Sequence, residues 1–210
     1  ARRLATEQDA SRWVAALLQG MRQGECLGLT WDRVDLDAGT LTVDRQLVEM
    51  TAAEDVTGTD GVAYEHLMDG YYWGPVKTAA GSRVLPLVPW MAAALAAWRD
   101  QCPASPYGLV WPRPDGGPWS KKDDRLAWRA LQDVAGVHKK DGGYYLVHEA
   151  RHSTATLLMA AGVPATVVIA IMGHTAITTS MGYQHADLDQ ARQALEAVAP
   201  RLGLTSTPTP

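Results

Sequence analysis

His148-Glu149-Ala150-Arg151-His152, followed by Met172-Gly173-His174 and then by Tyr183, is the stretch on which the fold turns. Read together it offers imidazoles, a guanidinium and a phenol, a set suited to breaking a phosphodiester through a covalent tyrosine intermediate. Its first five residues also match the H-E-x-x-H pattern, in which two histidines one helical turn apart bind zinc and the glutamate between them acts as a base.

The metal reading runs short of ligands. A zinc site needs a third protein ligand, yet Ser153, Thr154 and Ala155 follow His152 where the extended pattern would continue. No Asp or Glu occurs between Glu149 and Asp187, and Arg151 would set a fixed positive charge beside the dication. No metal and no cofactor are expected, and a zinc peptidase is the least favoured reading.

Moving outward, the 210 residues, 47% of them hydrophobic, can bury one sizeable core. No apolar run approaches the roughly 18 residues that cross a bilayer, and Ala1-Arg2-Arg3 opens no signal-peptide core, so a soluble cytoplasmic protein is expected. Cys26 and Cys102 are too few for a disulfide scaffold and are not spaced as a metal knuckle. The net charge of -4 argues against a nucleic-acid partner until its distribution is considered. Glu49, Glu54, Asp55, Asp60, Glu65 and Asp69 fall in a stretch, 49–72, without Lys or Arg, and the rest of the chain carries +2. A mildly basic body with one acidic excursion is compatible with DNA.

Periodicity predicts a mainly helical α+β chain. Trp13, Val14, Leu17 and Leu18 have helical spacing, interrupted at Gly20 and resumed through Met21, Cys26 and Leu29. Val34 and Leu36, then Asp37-Ala38-Gly39, then Leu41, Val43 and Leu47 read as a hairpin, and Val84, Leu85 and Leu87 as a third strand, giving a small antiparallel three-stranded sheet. The acidic stretch between them reads as a long loop with at most a short helix. Helices are expected over 90–99, from a Ser120 cap to Ala135 with Gly136 as its stop, and over 149–161, 164–172 and 187–198. Residues 1–198 form one domain in this reading, with 184–198 as a C-terminal helix segment and 199–210 as a disordered tail.

Further motifs fall in order along the chain. Gly20-Met21-Arg22-Gln23-Gly24-Glu25 leads to Leu27-Gly28-Leu29-Thr30-Trp31; Pro75-Val76-Lys77-Thr78 precedes Ser82-Arg83-Val84-Leu85-Pro86-Leu87; the H-x-x-R-H box is His148, Arg151 and His152; and Tyr183 follows His174 by nine residues. With these motifs, from about Gly20 to Leu195, the chain resembles the catalytic domain of a tyrosine recombinase of the phage integrase family. Ala150, Val147 and Met172 depart from that pattern without removing a reactive group.

The resemblance implies a tyrosine-recombinase catalytic domain fold and a site-specific DNA recombinase or integrase of a phage or other mobile element, working through a 3'-phosphotyrosyl intermediate without metal or ATP. Tyr183 would be the nucleophile, Arg22 and Arg151 the phosphate clamp, His148 the proton acceptor, His174 a donor to the phosphate and Lys77 the general acid. Glu25 would orient Arg22, and His152 would buttress Arg151. Lys121, Lys122, Arg125 and Arg129 are candidates for DNA-backbone contacts. The implied partners are double-stranded DNA attachment sites, further copies in a tetramer on DNA and an accessory DNA-bending protein, in a bacterial cell and at the nucleoid when acting. A type IB topoisomerase shares the chemistry and is the alternative. The N-terminal core-binding domain usual in the family is not encoded by residues 1–7, so the chain is expected to be a catalytic domain alone.

Overall fold

The computed structural model describes residues 10–50, 64–77, 81–173 and 188–203. Its first helix, α1 (Ala10–Leu17), is buried along almost its whole length, with Val14 and Ala15 at the centre of the core. Two polar side chains on α1 are buried with it: Arg12 pairs with Asp124 at 3.1 Å, and the Ser11 hydroxyl accepts the Trp111 indole N–H at 2.8 Å. Gly20 ends this segment in the left-handed conformation (φ 63°), which a side chain would strain. The chain then turns into the short helix α2 (Gln23–Leu27).

The expected three-stranded sheet is present. β1 (Val34–Asp35), β2 (Thr40–Val43) and β6 (Arg83–Pro86) pair antiparallel in that order, with Leu41 opposite Leu85. The strand expected to continue from Leu41 to Leu47 breaks at Asp44, and its second half, β3 (Arg45–Glu49), leaves for another sheet.

That second sheet corrects the reading of the acidic stretch. β4 (Glu65–Met68) and β5 (Tyr71–Pro75) form a hairpin that turns at Asp69-Gly70, with Asp69 at φ 43°, and β5 pairs with β3 so that Leu47 faces Trp73. The aromatic run Tyr71-Tyr72-Trp73 favours a pleated, half-buried surface. Leu47 and Leu67 bury themselves with Leu27 of α2 in a second, smaller core. Gly28, just after α2, allows the approach to β3: a Cβ there would lie 2.6 Å from the Leu47 amide nitrogen.

The helices follow their sequence signals closely. α3 (Pro89–Arg99) starts with proline, and α4 (Lys121–Ala135) is capped by the Ser120 hydroxyl, which accepts the Asp123 N–H at 2.9 Å, and stopped by left-handed Gly136. α5 (Val147–Ala160) and α6 (Ala165–Met172) pack together, and α7 (Leu188–Val198) returns onto β6, α5 and α6 with Leu195 and Val198 fully buried. Arg192 of α7 donates to the carbonyls of Leu87 and Gly39. Ala191, Leu195 and Val198 of α7 are thus covered within its own chain, while Leu188 at its start is exposed. The tail expected to be disordered from 199 begins with a 3-10 turn, Ala199–Leu202, on which Ala199 is buried.

Candidate active site

Glu25 is the centre of the site. It stands in the first turn of α2, where unsatisfied backbone N–H groups favour a carboxylate, and it accepts the Arg22 N–H at 2.8 Å. Its side chain is 1% exposed and meets three guanidinium groups: Arg22 at 2.6 Å, Arg83 at 2.9 Å and Arg151 at 3.9 Å. Burial alone would push its carboxyl up. The charge and hydrogen bonds of Arg83, with those of Arg22, outweigh this and hold it below the usual carboxylate range. One carboxylate against three cations leaves a local excess of two positive charges.

The other partners of these arginines lie at one place. The carbonyls of Ile171, Met172 and Gly173, at the end of α6, accept hydrogen bonds from Arg83 (2.9 Å), Arg151 and Arg22 (3.0 Å), in that order. Helix C-termini leave such carbonyls unpaired and carry the negative end of the helix dipole, so cations settle there. The Gly20 carbonyl also accepts from Arg151 and Arg83. α2, the turn at Gly20, β6 and the end of α6 are therefore joined through guanidinium groups.

The sequence-predicted residues divide in their accessibility. Arg22 has one fifth of its side chain exposed, whereas Arg151 is 1% exposed and lies beneath it. Burial, with repulsion from Arg22 and Arg83 and against attraction by Glu25, brings the Arg151 guanidinium down to about 10, still charged at neutral pH. Lys77 is exposed, just past the end of β5. Gly81, four residues further on, lies beside Arg22, since a Cβ there would come within 3.6 Å of Arg22 Nη1. His174 and Tyr183 lie outside the described residues. The backbone leading to them is held at Gly173, which is left-handed (φ 59°).

His148 and His152 are exposed on α5 with their rings edge to face, 4.5 Å apart. Partial burial, then His152, Arg151 and Arg22, push the His148 imidazole below its usual value, which favours the neutral, proton-accepting form at pH 7. Glu149 between them is engaged elsewhere: it accepts the Leu146 N–H at 2.6 Å and pairs with Lys139 at 3.0 Å. That is a helix cap and not a peptidase base. Among the described residues no group of three or more His, Cys, Asp or Glu side chains is arranged to hold a metal ion.

On α4, Lys122, Arg125 and Arg129 are exposed and Lys121 is half-buried. Gln23, next to Arg22, donates to Asp124 of α4 at 2.6 Å, so this basic helix face adjoins the arginine cluster.

Arg83 stands within one of the sequence motifs, yet the motif by itself assigns it no role. A signal for one exists. Strand alternation puts Arg83, Leu85 and Leu87 on one face, and that face is the buried one: Leu85 and Leu87 are 1% exposed while Val84 is 44% exposed. An arginine on the inward face of a strand needs partners inside.

Comparison with known proteins bears on the family and the fold. A family model described as Phage integrase family matches residues 6–190. An integrase of Saccharopolyspora erythraea is 26% identical over 222 residues, covering 85% of this chain and 50% of that protein. The tyrosine recombinase XerC of Xylella fastidiosa (strain M23) is 28% identical over 185 residues, covering 87% and 50% respectively. Among solved structures, the Tn1549 transposon integrase in complex with circular intermediate DNA has a TM-score of 0.63 at 25% identity, over 90% of this chain and 59% of that one. The XerA recombinase has the same fold, with a TM-score of 0.61 at 17% identity over 96% and 62%. The chain spans about half the length of the curated relatives it matches.

Proposed function

This chain belongs to the phage integrase family, and we propose that it is the catalytic part of a site-specific DNA recombinase that breaks and rejoins DNA through Tyr183. The observation that carries this reading is the cluster of Arg22, Arg83 and Arg151 around Glu25, with Arg22 its exposed member. An excess of two positive charges suits the charge that builds on a phosphodiester as a fifth oxygen approaches phosphorus.

In the proposed reaction the Tyr183 oxygen forms a bond to the scissile phosphorus as the bond from phosphorus to the 5'-oxygen breaks. The phenol proton passes to neutral His148, and Lys77 supplies a proton to the departing 5'-oxygen. Arg22, supported from below by Arg151, would hold the non-bridging oxygens, with His174 donating beside it. The product is a 3'-phosphotyrosyl ester and a free 5'-hydroxyl, and reversal of the same steps onto another 5'-hydroxyl rejoins the strand. Phosphodiester energy is conserved, so the scheme needs neither ATP nor a metal.

Double-stranded attachment sites are the proposed substrate, with Lys121, Lys122, Arg125 and Arg129 on the backbone. Assembly as a tetramer on DNA, an accessory DNA-bending protein and a nucleoid location belong to the same proposal for the whole protein. Among the described residues no helix is long and apolar enough to cross a membrane.

The test is covalent capture. A random-sequence pool of nicked duplexes is incubated with the chain, denatured, and searched for protein-linked DNA. The wild-type chain is expected to retain a subset of sequences, and Tyr183→Phe none while still binding them. An adduct formed by the phenylalanine variant overturns the assignment. Sequence-indifferent relaxation of supercoiled DNA by single copies would mark a topoisomerase instead.

A further inference from the structure

Arg83 opens β6, six residues after Lys77, and its guanidinium reaches three other places that flank proposed catalytic groups. Nη1 donates to the Gly81 carbonyl at 2.7 Å, four residues after Lys77. Nη2 pairs with Glu25 at 2.9 Å, and Glu25 in turn holds Arg22. Nε donates to the Ile171 carbonyl at 2.9 Å, three residues before His174. Of the three clustered arginines only Arg83 directly follows the β5–β6 connection, as the first residue of β6, and its side chain is 7% exposed, so it lies under the site and not on the path of a substrate.

We propose that Arg83 is a positioning residue for the leaving-group step: it fastens Gly81, four residues after Lys77, to the Arg22–Glu25 pair and to the end of α6, so that the Lys77 ammonium is delivered to the departing 5'-oxygen. The inference rests on the strand-cleavage reading above. Its physical basis is the fixed planar fork of arginine, which satisfies several acceptors in set directions where the single ammonium of lysine cannot. Misplacing a catalytic group by about 1 Å can cost on the order of 100-fold in rate, comparable to the lower range for losing a general acid.

A sulfur atom in place of the bridging 5'-oxygen tests this without touching the protein. A thiolate leaves without being protonated, so a substrate with 5'-sulfur no longer needs Lys77. A duplex captured by the wild-type chain would be made in oxygen and sulfur forms, and single-turnover adduct formation measured for wild type, Arg83→Ala, Arg83→Lys, Lys77→Ala and the double variant Arg83→Lys/Lys77→Ala. Arg83→Lys, which keeps the charge of the cluster, is expected to lose about 100-fold on the oxygen duplex and to come within a few-fold of wild type on the sulfur duplex, whereas Arg83→Ala, which also removes a positive charge, keeps part of its loss there. The double variant should be no slower than Lys77→Ala alone. Thermal unfolding checks that each variant is folded, and Arg83→Lys, which keeps the buried charge, gives the same comparison if the alanine variant is not. Equal losses on both duplexes, or losses that multiply in the double variant, overturn the inference while leaving the strand-cleavage reading intact. Absence of any wild-type adduct removes that reading and this inference with it.

Discussion

Arg22 Nη2 lies 3.0 Å from the carbonyl oxygen of Gly173, a hydrogen bond between residues 151 positions apart. It ties the start of α2 to the end of α6, directly before His174. With Arg83 on Ile171 and Arg151 on Met172, it completes a run of three consecutive carbonyls taken by three different arginines. The H-E-x-x-H letters thus sit beside three guanidinium groups gathered by a helix end and one carboxylate. The same arrangement explains why Arg151 is buried: two of its acceptors are backbone carbonyls of the core, and Arg22 lies outside it.

Glu25 is the residue on which that gathering depends. Glu25→Gln keeps the shape and leaves three guanidinium groups without their counter-charge, so a loss of about 3 kcal/mol or more is expected, as for a broken buried pair. The sign with pH follows from the lowered carboxyl. Stability from its ionised form is fully present above the ordinary unfolded value and is lost as pH falls through the folded value. Urea midpoints measured from pH 7 down to pH 3 should therefore fall more steeply for wild type than for Glu25→Gln. Parallel curves would show that Glu25 is not held ionised.

Gly28 sets how closely α2 approaches β3. Its backbone (φ -98°) is open to any residue, but an alanine Cβ would meet the Leu47 nitrogen at 2.6 Å and the Gln46 carbonyl carbon at 3.0 Å. Backbone atoms cannot swing aside as a side-chain tip can. Gly28→Ala should destabilise by about 1–3 kcal/mol, in the range of overpacked sites. Gly136→Ala, with open space around it and a left-handed backbone, provides the contrast of conformational cost without a clash. Denaturant midpoints that rank Gly136→Ala well below Gly28→Ala would contradict the close-approach argument.

Much of this was legible in the sequence where the signal is local. Ser120 and Gly136 bound α4, Gly20 interrupts the first helical run, and the alternation of Leu41, Val43 and Leu85 marks the first sheet. The second sheet was hidden because its signal is not local. Leu47 and Leu67 are single apolar positions among acids, and they become a core only when Leu27 of α2 is brought onto them. Of the residues named from the sequence, Arg22, Glu25 and Arg151 lie together, while Arg83 escaped because a charge near a strand end resembles a solvent-facing residue until the alternation is followed inward. The six carboxylates of 49–72 also need a different view: Glu49 accepts the Lys121 N–H at 2.6 Å and ends β3, so at least this one belongs to the framework.

The basic face of α4 makes a quantitative prediction for DNA binding. Removing one cation from a phosphate should flatten the dependence of log affinity on log salt by about 0.9 for duplex DNA. Lys122→Ala, Arg125→Ala and Arg129→Ala, all exposed, should each weaken binding to unrelated duplexes alike. Fluorescence anisotropy at several salt concentrations reads the slope. Slopes equal to wild type for all three would move the DNA track to another face.

His148 supplies the pH prediction for the reaction itself. As the proposed proton acceptor it would have to be neutral, and burial together with His152, Arg151 and Arg22 lowers its value below the usual 6.5. The acid limb of the rate of adduct formation should therefore lie at lower pH than an ordinary imidazole would place it. His152 is the largest electrostatic contributor to that shift, and its ring also screens His148 from water at 4.5 Å. His152→Ala removes both effects, and each removal favours the protonated form of His148. The acid limb should consequently move to higher pH while the plateau rate is kept to within a few-fold. A plateau that collapses with the limb unmoved would make His152 a support for Arg151 alone, and an acid limb that persists unchanged in His148→Gln would assign the titrating base to another group.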